Sequence, residues 1–133
     1  MEKPWLQHYE EGVPQTVKYP QKILSTLLQE AAEEYAQKTA VSFYGRTLTF
    51  DQLNRLVDQF AAVLHRLGIG KGDRVAIILP NLPQYPIVHY AIMRLGAIIV
   101  PTNPLYVERE LKYQLNDSGA KAVIVLNLLY PRL

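Results

Sequence analysis

Apolar and polar positions along the chain follow two different periods, and each period predicts a type of element. Across residues 24–35 apolar side chains recur every three or four positions, which predicts an amphipathic helix with a serine or threonine N-cap at residues 25–26. Residues 39–44 alternate apolar and polar side chains, as expected for a strand. With a turn at Gly45 and Arg46 and a short strand over residues 47–48, they predict a β-hairpin near residues 39–48.

A second helix is predicted to begin at the segment TFDQ. Thr49 and Gln52 stand three residues apart and form a capping box, in which each side chain satisfies a free backbone N–H. Gly68 is expected to end this helix as a left-handed residue. The predicted apolar face of the helix consists of Leu53, Leu56, Val57, Phe60, Ala61, Leu64 and Leu67.

The middle of the chain carries the pattern that decides the fold class. Two continuous apolar runs, residues 75–79 and 97–101, flank a segment with helical periodicity that begins near Pro83. Strand, helix and strand, with both strands apolar throughout, indicate a βαβ crossover in a parallel sheet that is covered on both faces. A further helix over residues 108–118 and a last buried strand over residues 121–126 follow.

This order of elements predicts an α/β protein with an open, largely parallel sheet and flanking helices. Residues 1–22 lack periodicity and include three prolines, so we expect an extended N-terminal arm there. The elements of the sheet and its helices all fall within residues 23–133.

Composition and charge exclude several classes of function. The 133 residues have room for one domain, and 49% hydrophobic with 20% charged residues is typical of a soluble folded protein. A net charge of +2 with scattered basic residues offers no electrostatic case for binding nucleic acid. There are no cysteines, which fits a reducing compartment. Without a recognisable signal peptide or transmembrane segment, we expect a cytoplasmic protein.

The segment GIGKGD, residues 68–73, superficially resembles a phosphate-binding loop. Such a loop needs its glycines after a strand and before a helix, so that N–H groups at the helix start face the anion. Here the glycines follow a helix and precede a strand. We interpret the segment as a turn.

Other polar residues have simple structural interpretations. His8, His65 and His89 have no partners at metal-ligand spacing, and we interpret them as solvated or structurally satisfied side chains. Asn81 and Asn103 follow strand carboxyl ends, where open α/β sheets bind ligands. Because asparagine beside proline is typical of turns, we interpret both as turn or cap residues.

Two segments resemble core motifs of the acyl-adenylate-forming superfamily, which includes acyl-CoA synthetases, luciferases and peptide-synthetase adenylation domains. Residues 48–53 (LTFDQL) resemble its first core motif, and residues 93–104 (MRLGAIIVPTNP) resemble its second. Between them, residues 72–76 (GDRVA) and 79–81 (LPN) match the family at the expected spacing.

A narrower resemblance covers essentially the whole chain. The N-terminal segments PWL and GVP and the later segments PNLPQYP, NPLY, REL and QLNDSGA are similar to those of bacterial long-chain fatty acid–CoA ligases. The resemblance identifies residues 23–133 as part of the N-terminal α/β subdomain of an AMP-dependent synthetase/ligase.

The resemblance implies a reaction of the whole enzyme. The family joins a carboxylate to ATP with Mg²⁺ to form an acyl-adenylate and pyrophosphate, and then transfers the acyl group to the thiol of coenzyme A. The family's segments for ATP, AMP and Mg²⁺ are expected beyond Leu133. We therefore assign no catalytic, cofactor-binding or metal-binding residue within this chain, and expect the isolated chain to be inactive and its role to be structural.

Two alternatives remain open. The whole enzyme could act on a medium-chain or aryl acid rather than a long-chain fatty acid, because the acyl pocket is expected mostly outside this chain. Alternatively, the chain could be a non-catalytic interaction module that binds a second copy of itself or the rest of a ligase chain. A parallel sheet with an uncovered apolar surface would favour such association.

Overall fold

The computed structural model of the protein describes residues 3–132. The helices and strands in this range are α1 (Leu24–Glu34), β1 (Thr39–Phe43), β2 (Arg46–Thr49), α2 (Phe50–Arg66), β3 (Arg74–Ile78), α3 (Gln84–Arg94), β4 (Ile98–Pro101), α4 (Glu108–Ser118) and β5 (Ala122–Val125). Short 3₁₀ helices span Pro4–His8 and Asn127–Arg132. The predicted order of elements is confirmed.

The predicted hairpin is formed by β1 and β2, which pair antiparallel. Phe43 pairs with Arg46, so the turn consists of Tyr44 and Gly45 and lies one residue earlier than the predicted turn at Gly45 and Arg46. Both turn residues have positive φ, 45° and 78°, as a type I′ turn requires. Glycine adopts such a φ without a steric penalty, which explains why the turn falls at Gly45.

Helix α2 confirms the predicted capping box. The N–H of Gln52 donates to Thr49 Oγ1 at 3.2 Å, and the N–H of Thr49 donates to Gln52 Oε1 at 2.9 Å. Gly68, with φ of 84°, follows the helix as predicted. The prediction was wrong for Leu67, which is 72% exposed. The helix ends at Arg66, so Leu67 no longer follows the buried face.

The N-cap predicted for α1 was wrong. The N-cap residue is Ile23, and its side chain makes no capping hydrogen bond. Thr26 lies three positions beyond the N-cap, inside the first turn, and its hydroxyl donates backwards to the carbonyl oxygen of Ile23 at 2.7 Å. A threonine in the first turn therefore does not by itself mark the helix start.

Strands β3, β4 and β5 form a parallel sheet in the order β4-β3-β5. Helix α3 connects β3 to β4, and α4 leads from β4 past β3 to β5, so the two crossovers run in opposite directions. Because such crossovers are right-handed, α3 and α4 lie on opposite faces of the sheet. The predicted parallel sheet with helices on both faces is confirmed.

The burial of β3 agrees with this arrangement. Val75 and Ile77 belong to the main core cluster, together with buried residues of α2 and α3. Ala76 and Ile78 point the other way, are equally buried and lie outside that cluster. The central strand is therefore covered on both faces.

The N-terminal arm is mostly exposed, but it is not extended throughout. Pro4 begins a 3₁₀ helix, and the N–H of Leu6 donates to the carbonyl oxygen of Lys3 at 3.1 Å. Since the proline ring already holds φ near a helical value, a turn can begin at this residue at little cost. None of the helices within residues 3–132 is long and apolar enough to cross a membrane.

Candidate functional site

The glycine-rich segment between α2 and β3 is closed by its own hydrogen bonds. The N–H of Gly70 donates to Asp73 Oδ2 at 2.8 Å, and the N–H of Asp73 donates to the carbonyl oxygen of Gly70 at 3.1 Å. The N–H of Gly72 donates to the carbonyl oxygen of Gly96 at 3.0 Å. These backbone donors are already used within the fold, so they do not form a cradle for phosphate. The interpretation of the segment as a turn is confirmed.

Lys121 ties this turn to the start of β5. Its ammonium donates to Asp73 Oδ2 at 2.7 Å and to the carbonyl oxygen of Gly68 at 2.8 Å. The hydrogen bond from Lys121, followed by that from the N–H of Gly70, lowers the pKa of the Asp73 carboxyl group. The turn precedes β3 and Lys121 precedes β5, so this polar cluster lies at the amino ends of the strands. Ligands of open α/β sheets bind at the opposite, carboxyl ends.

At the carboxyl end of β4, the polar side chains are used locally. Asn103 Oδ1 accepts the N–H of Leu105 at 3.0 Å, which is the hydrogen bond of an Asx turn. Thr102 is buried, and its hydroxyl donates to the carbonyl oxygen of Val100 at 3.2 Å. The interpretation of Asn103 as a turn residue is confirmed.

Asn81, at the carboxyl end of β3, is exposed at the rim of a shallow groove between the hairpin and the start of α3. The N-cap residue of α3 is Pro83, and it makes no side-chain capping bond. Asn81 is therefore not the cap of this helix, although it does lie in the loop that leads to it.

His89 is half-buried on α3 between two aromatic rings. It stacks on Tyr85 at a centroid distance of 6.0 Å and meets Tyr90 edge-on at 5.7 Å. Its Nδ1 is buried and has no hydrogen-bond partner among the described residues. Burial lowers the pKa of the His89 imidazole, which favours the neutral form. The interpretation of His89 as a solvated or structurally satisfied side chain was therefore wrong, because its buried Nδ1 has no hydrogen-bond partner among the described residues.

His8 and His65 are exposed. Within residues 3–132, no group of three or more histidine, cysteine, aspartate or glutamate side chains is placed to hold a metal ion.

Arg94 forms a polar contact between helices that sequence reasoning missed. Its guanidinium pairs with the carboxylate of Asp58 and donates to Asn54 Oδ1 at 2.9 Å. The Arg94 side chain is only 14% exposed, so it is held between α2 and α3. The only sequence signal was a charged residue at the end of an apolar helix.

Two further grooves lie along α4 and along α2. One, of about 580 Å³, follows a single face of α4 and is lined by Tyr106, Arg109, Glu110, Tyr113 and Gln114. The other, of about 270 Å³, lies between the second half of α2 and strand β5 and has an apolar lining apart from Lys121. The first groove contains Arg109 and Glu110, but Glu110 Oε2 already accepts the N–H of Val107 at 3.0 Å, and the second groove contains one charged lining residue, Lys121.

The fold and these motifs define a class of protein. The model of the AMP-binding enzyme family matches residues 28–132. The chain therefore belongs to the AMP-binding enzyme family, as its resemblance to the acyl-adenylate-forming enzymes predicted.

Individual relatives give a more specific comparison than the family model does. The chain is 44% identical to the long-chain-fatty-acid–CoA ligase of Bacillus subtilis over 131 residues, which cover 98% of this chain and 23% of that ligase. It is also 44% identical to the ligase of the same name from Salmonella typhimurium over 129 residues, which cover 96% and 23% of the two chains. The chain thus spans about a quarter of the length of these relatives.

Solved structures agree on the fold. The N-terminal subdomain of Klebsiella oxytoca NpsA is similar with a TM-score of 0.77 and 30% identity, over 80% of this chain and 28% of that subdomain. A benzoate CoA ligase from Burkholderia xenovorans is similar with a TM-score of 0.78 and 25% identity, over 82% and 22% of the two chains. The expected α/β fold is therefore that of an adenylation domain.

Proposed function

We propose that this chain is the N-terminal part of a long-chain fatty acid–CoA ligase. The observation that carries the proposal is the 44% identity to the Bacillus subtilis ligase across 98% of the chain. The whole enzyme would convert a fatty acid, ATP and coenzyme A to acyl-CoA, AMP and pyrophosphate, with Mg²⁺ assisting.

Within this reaction the chain has an architectural role. The N–H groups of Gly70, Gly72 and Asp73 are already engaged, and Lys121 is paired with Asp73. The glycine turn and Lys121 therefore do not fit the triphosphate of ATP or its Mg²⁺. Stabilising the charge of a phosphoryl or acyl transfer requires positioned donors or metal ligands, and these belong to the rest of the enzyme. We accordingly expect the isolated chain to be inactive.

A chimeric ligase tests this proposal. Residues 1–133 would replace the segment that they match in the Bacillus subtilis ligase, and palmitate-dependent ATP–pyrophosphate exchange would be measured. We expect exchange by the chimera and by the unmodified ligase, and none by the isolated chain. A folded chimera without exchange would contradict the proposal, and exchange by the isolated chain would contradict the architectural role.

An aryl or medium-chain acid is the second candidate substrate. The similarity to a benzoate CoA ligase supports an aryl acid as this alternative. The chimera cannot decide between them, because most of its acyl pocket comes from the Bacillus enzyme. The full-length ligase encoded in frame with this chain should be assayed with palmitate, octanoate and benzoate. Turnover of benzoate or octanoate without turnover of palmitate would replace the long-chain proposal.

Self-association and location belong to the same proposal. Apolar side chains such as Ile23, Leu24 and Leu128 are exposed in this chain, and exposed apolar surface promotes association. We propose that the isolated chain self-associates through surface that the remainder of the ligase covers. Sedimentation velocity of the isolated chain tests this, since a monomer at all concentrations would contradict it.

We further propose that the ligase acts in the cytoplasm or at the membrane surface.

A further inference from the structure

Helix α4 carries a stripe of aromatic and charged side chains on a face of its own. The stripe residues all line the groove of about 580 Å³: Tyr106, Arg109, Glu110, Tyr113 and Gln114. Their spacing of three, four, seven and eight positions from the first residue is that of one face of a helix. Leu111, the only buried residue of α4, does not line this groove. The stripe is therefore separate from the side of α4 that packs on the sheet.

The two charged residues of the stripe have no ionic partner among the described residues. Arg109 and Glu110 are both exposed, and no salt bridge within residues 3–132 includes either one. Adjacent positions of a helix do not face each other, so the two do not pair. Glu110 Oε2 accepts the N–H of Val107 at 3.0 Å, but a carboxylate accepts hydrogen bonds at both oxygens. Both charges are thus available to a molecule that docks on the groove.

The stripe is charge-complementary to itself. Reversing the chain about the midpoint between Arg109 and Glu110 exchanges these two residues, and it exchanges Tyr106 with Tyr113. Two α4 helices that pack antiparallel about a two-fold axis at this midpoint place Arg109 of each copy against Glu110 of the other. The same register sets Tyr106 of each copy against Tyr113 of the other. In such an isologous pair every contact occurs twice, so the axis carries two arginine–glutamate pairs.

We propose that the stripe of α4 docks a second copy of this chain as an antiparallel, two-fold pair. Charge decides the arrangement. A parallel pair in register sets Arg109 against Arg109 and Glu110 against Glu110, whereas the antiparallel pair joins opposite charges in both places. Tyr113, which is 70% exposed, contributes its ring to the contact, and tyrosine and arginine are enriched at protein interfaces.

The pair is expected to be weak and to form through a surface of its own. One helix face from each copy buries less than the roughly 1,200 Å² of a standard interface, so the dimer fraction should rise with concentration. The exposed apolar side chains of Ile23, Leu24 and Leu128 lie outside the groove. The inference therefore goes beyond the self-association proposed above, and it does not depend on the ligase assignment.

Charge reversal tests the pairing, with sedimentation equilibrium of the 133-residue chain as the measurement. Arg109→Glu and Glu110→Arg each bring like charges together at the axis, and each should raise the dissociation constant of the pair at least about tenfold. An equimolar mixture of the two variants should recover it to within about threefold, because both contacts again join opposite charges. Lys112→Glu makes the same change of charge as Arg109→Glu at an exposed position outside the groove, and this control should leave the dissociation constant unchanged.

A milder variant and salt support the same test. Glu110→Arg also removes the acceptor for the N–H of Val107, so circular dichroism should check that the helix is retained. Glu110→Gln keeps an acceptor at this position of the capping box and removes only the charge, so it should weaken the pair with the helix intact. Raising the salt concentration to about 1 M should also weaken the pair, because salt screens exposed charges. Association through apolar surface does not depend on such screening.

Cysteine crosslinking tests the register, because the chain contains no cysteine of its own. A disulfide requires Cα atoms within about 7 Å, a distance that opposed positions of the pair can meet. Under mild oxidation, Tyr106→Cys chains mixed with Tyr113→Cys chains should form linked dimers. Each variant alone should form few, because identical positions lie on opposite sides of the axis. Tyr44→Cys mixed with Tyr113→Cys is the control, since Tyr44 is exposed at the hairpin turn and outside the groove.

The outcomes decide the inference without any measurement of acyl-CoA formation. A chain that is monomeric at every concentration overturns it. Association that Arg109→Glu leaves unchanged, or a mixture that binds no better than the single variants, overturns the charge pairing. Equal crosslinking in the Tyr106→Cys mixture and in the Tyr44→Cys control overturns the antiparallel register. Because an inactive chimera would leave each of these results as it is, failure of the ligase assignment is observed separately.

Discussion

The ammonium of Lys121 lies 2.7 Å from the carboxylate of Asp73, although the two residues are 48 positions apart in the chain. The contact joins the start of the last strand to the turn that precedes the central one. The same ammonium also caps the carbonyl oxygen of Gly68 at the end of α2. One side chain thus holds a helix end, a turn and a strand start at the amino edge of the sheet.

Replacing Asp73 should change how stability depends on pH. The pKa of the Asp73 carboxyl is lowered by Lys121, so the folded chain binds a proton less readily than the unfolded chain, whose carboxyl titrates near 3.8. Its contribution is present above that pH and is lost as pH falls below it. Urea unfolding of Asp73→Asn should show lower stability at pH 7 and a shallower loss of stability below pH 4.

Lys121→Met is the matched partner of that experiment. It should lower stability at pH 7 and reduce the effect of adding Asp73→Asn, because the two side chains act together. Additive effects in the double variant would contradict the coupling.

The half-buried imidazole of His89 leads to a second prediction about how stability depends on pH. This effect falls at a higher pH than that of Asp73. Burial lowers its pKa below the usual 6.5, so the unfolded chain binds the proton more readily and stability falls as pH drops through 6.5 and below. His89→Phe keeps an aromatic ring beside Tyr85 and Tyr90 and removes the titration. Its free energy of unfolding should depend less on pH between 7 and 5 than that of the unchanged chain, by urea titration. His65→Gln, which replaces an exposed histidine of α2, is the matched control.

The capping box of α2 predicts that replacing Thr49 lowers the stability of the protein. Thr49→Ala removes the acceptor for the N–H of Gln52 and should cost about 1 kcal/mol, in line with other helix N-caps. Thr26→Ala is the control, since the hydroxyl of Thr26 donates to a carbonyl and does not cap α1. Chemical denaturation measures both. Equal losses of stability in the two variants would mean that the N-cap contact of Thr49 stabilises the protein no more than the hydroxyl of Thr26 does.

The hairpin turn predicts that replacing Gly45 lowers stability through backbone conformation, without any steric clash of the new side chain. Gly45 has φ of 78°, and a Cβ at this position would meet no atom within 4 Å. Gly45→Ala should therefore cost about 1 kcal/mol through backbone strain alone. Gly70 is equally open but lies outside the left-handed region, so Gly70→Ala should be close to neutral in the same denaturation experiment.

Much of the local structure was predictable from the sequence. The capping box, the glycine stop after α2, the hairpin turn and the Asx turn at Asn103 each depend on residues within four positions of one another. The same short range explains why the glycine-rich segment could be recognised as a turn. The errors at Thr26 and Leu67 also lie at helix ends, where a shift of one to three residues changes which side chain caps or packs.

The sequence by itself therefore determined the elements, their order and the family, because apolar periodicity, turn residues and motifs are local properties of the chain. The tertiary structure alone decided which strands are neighbours. It placed Lys121 on Asp73, put Arg94 against Asp58, and left β5 with an open edge beside an apolar groove. Each of these depends on residues more than thirty positions apart or on the order of strands, and packing of the whole core selects that order.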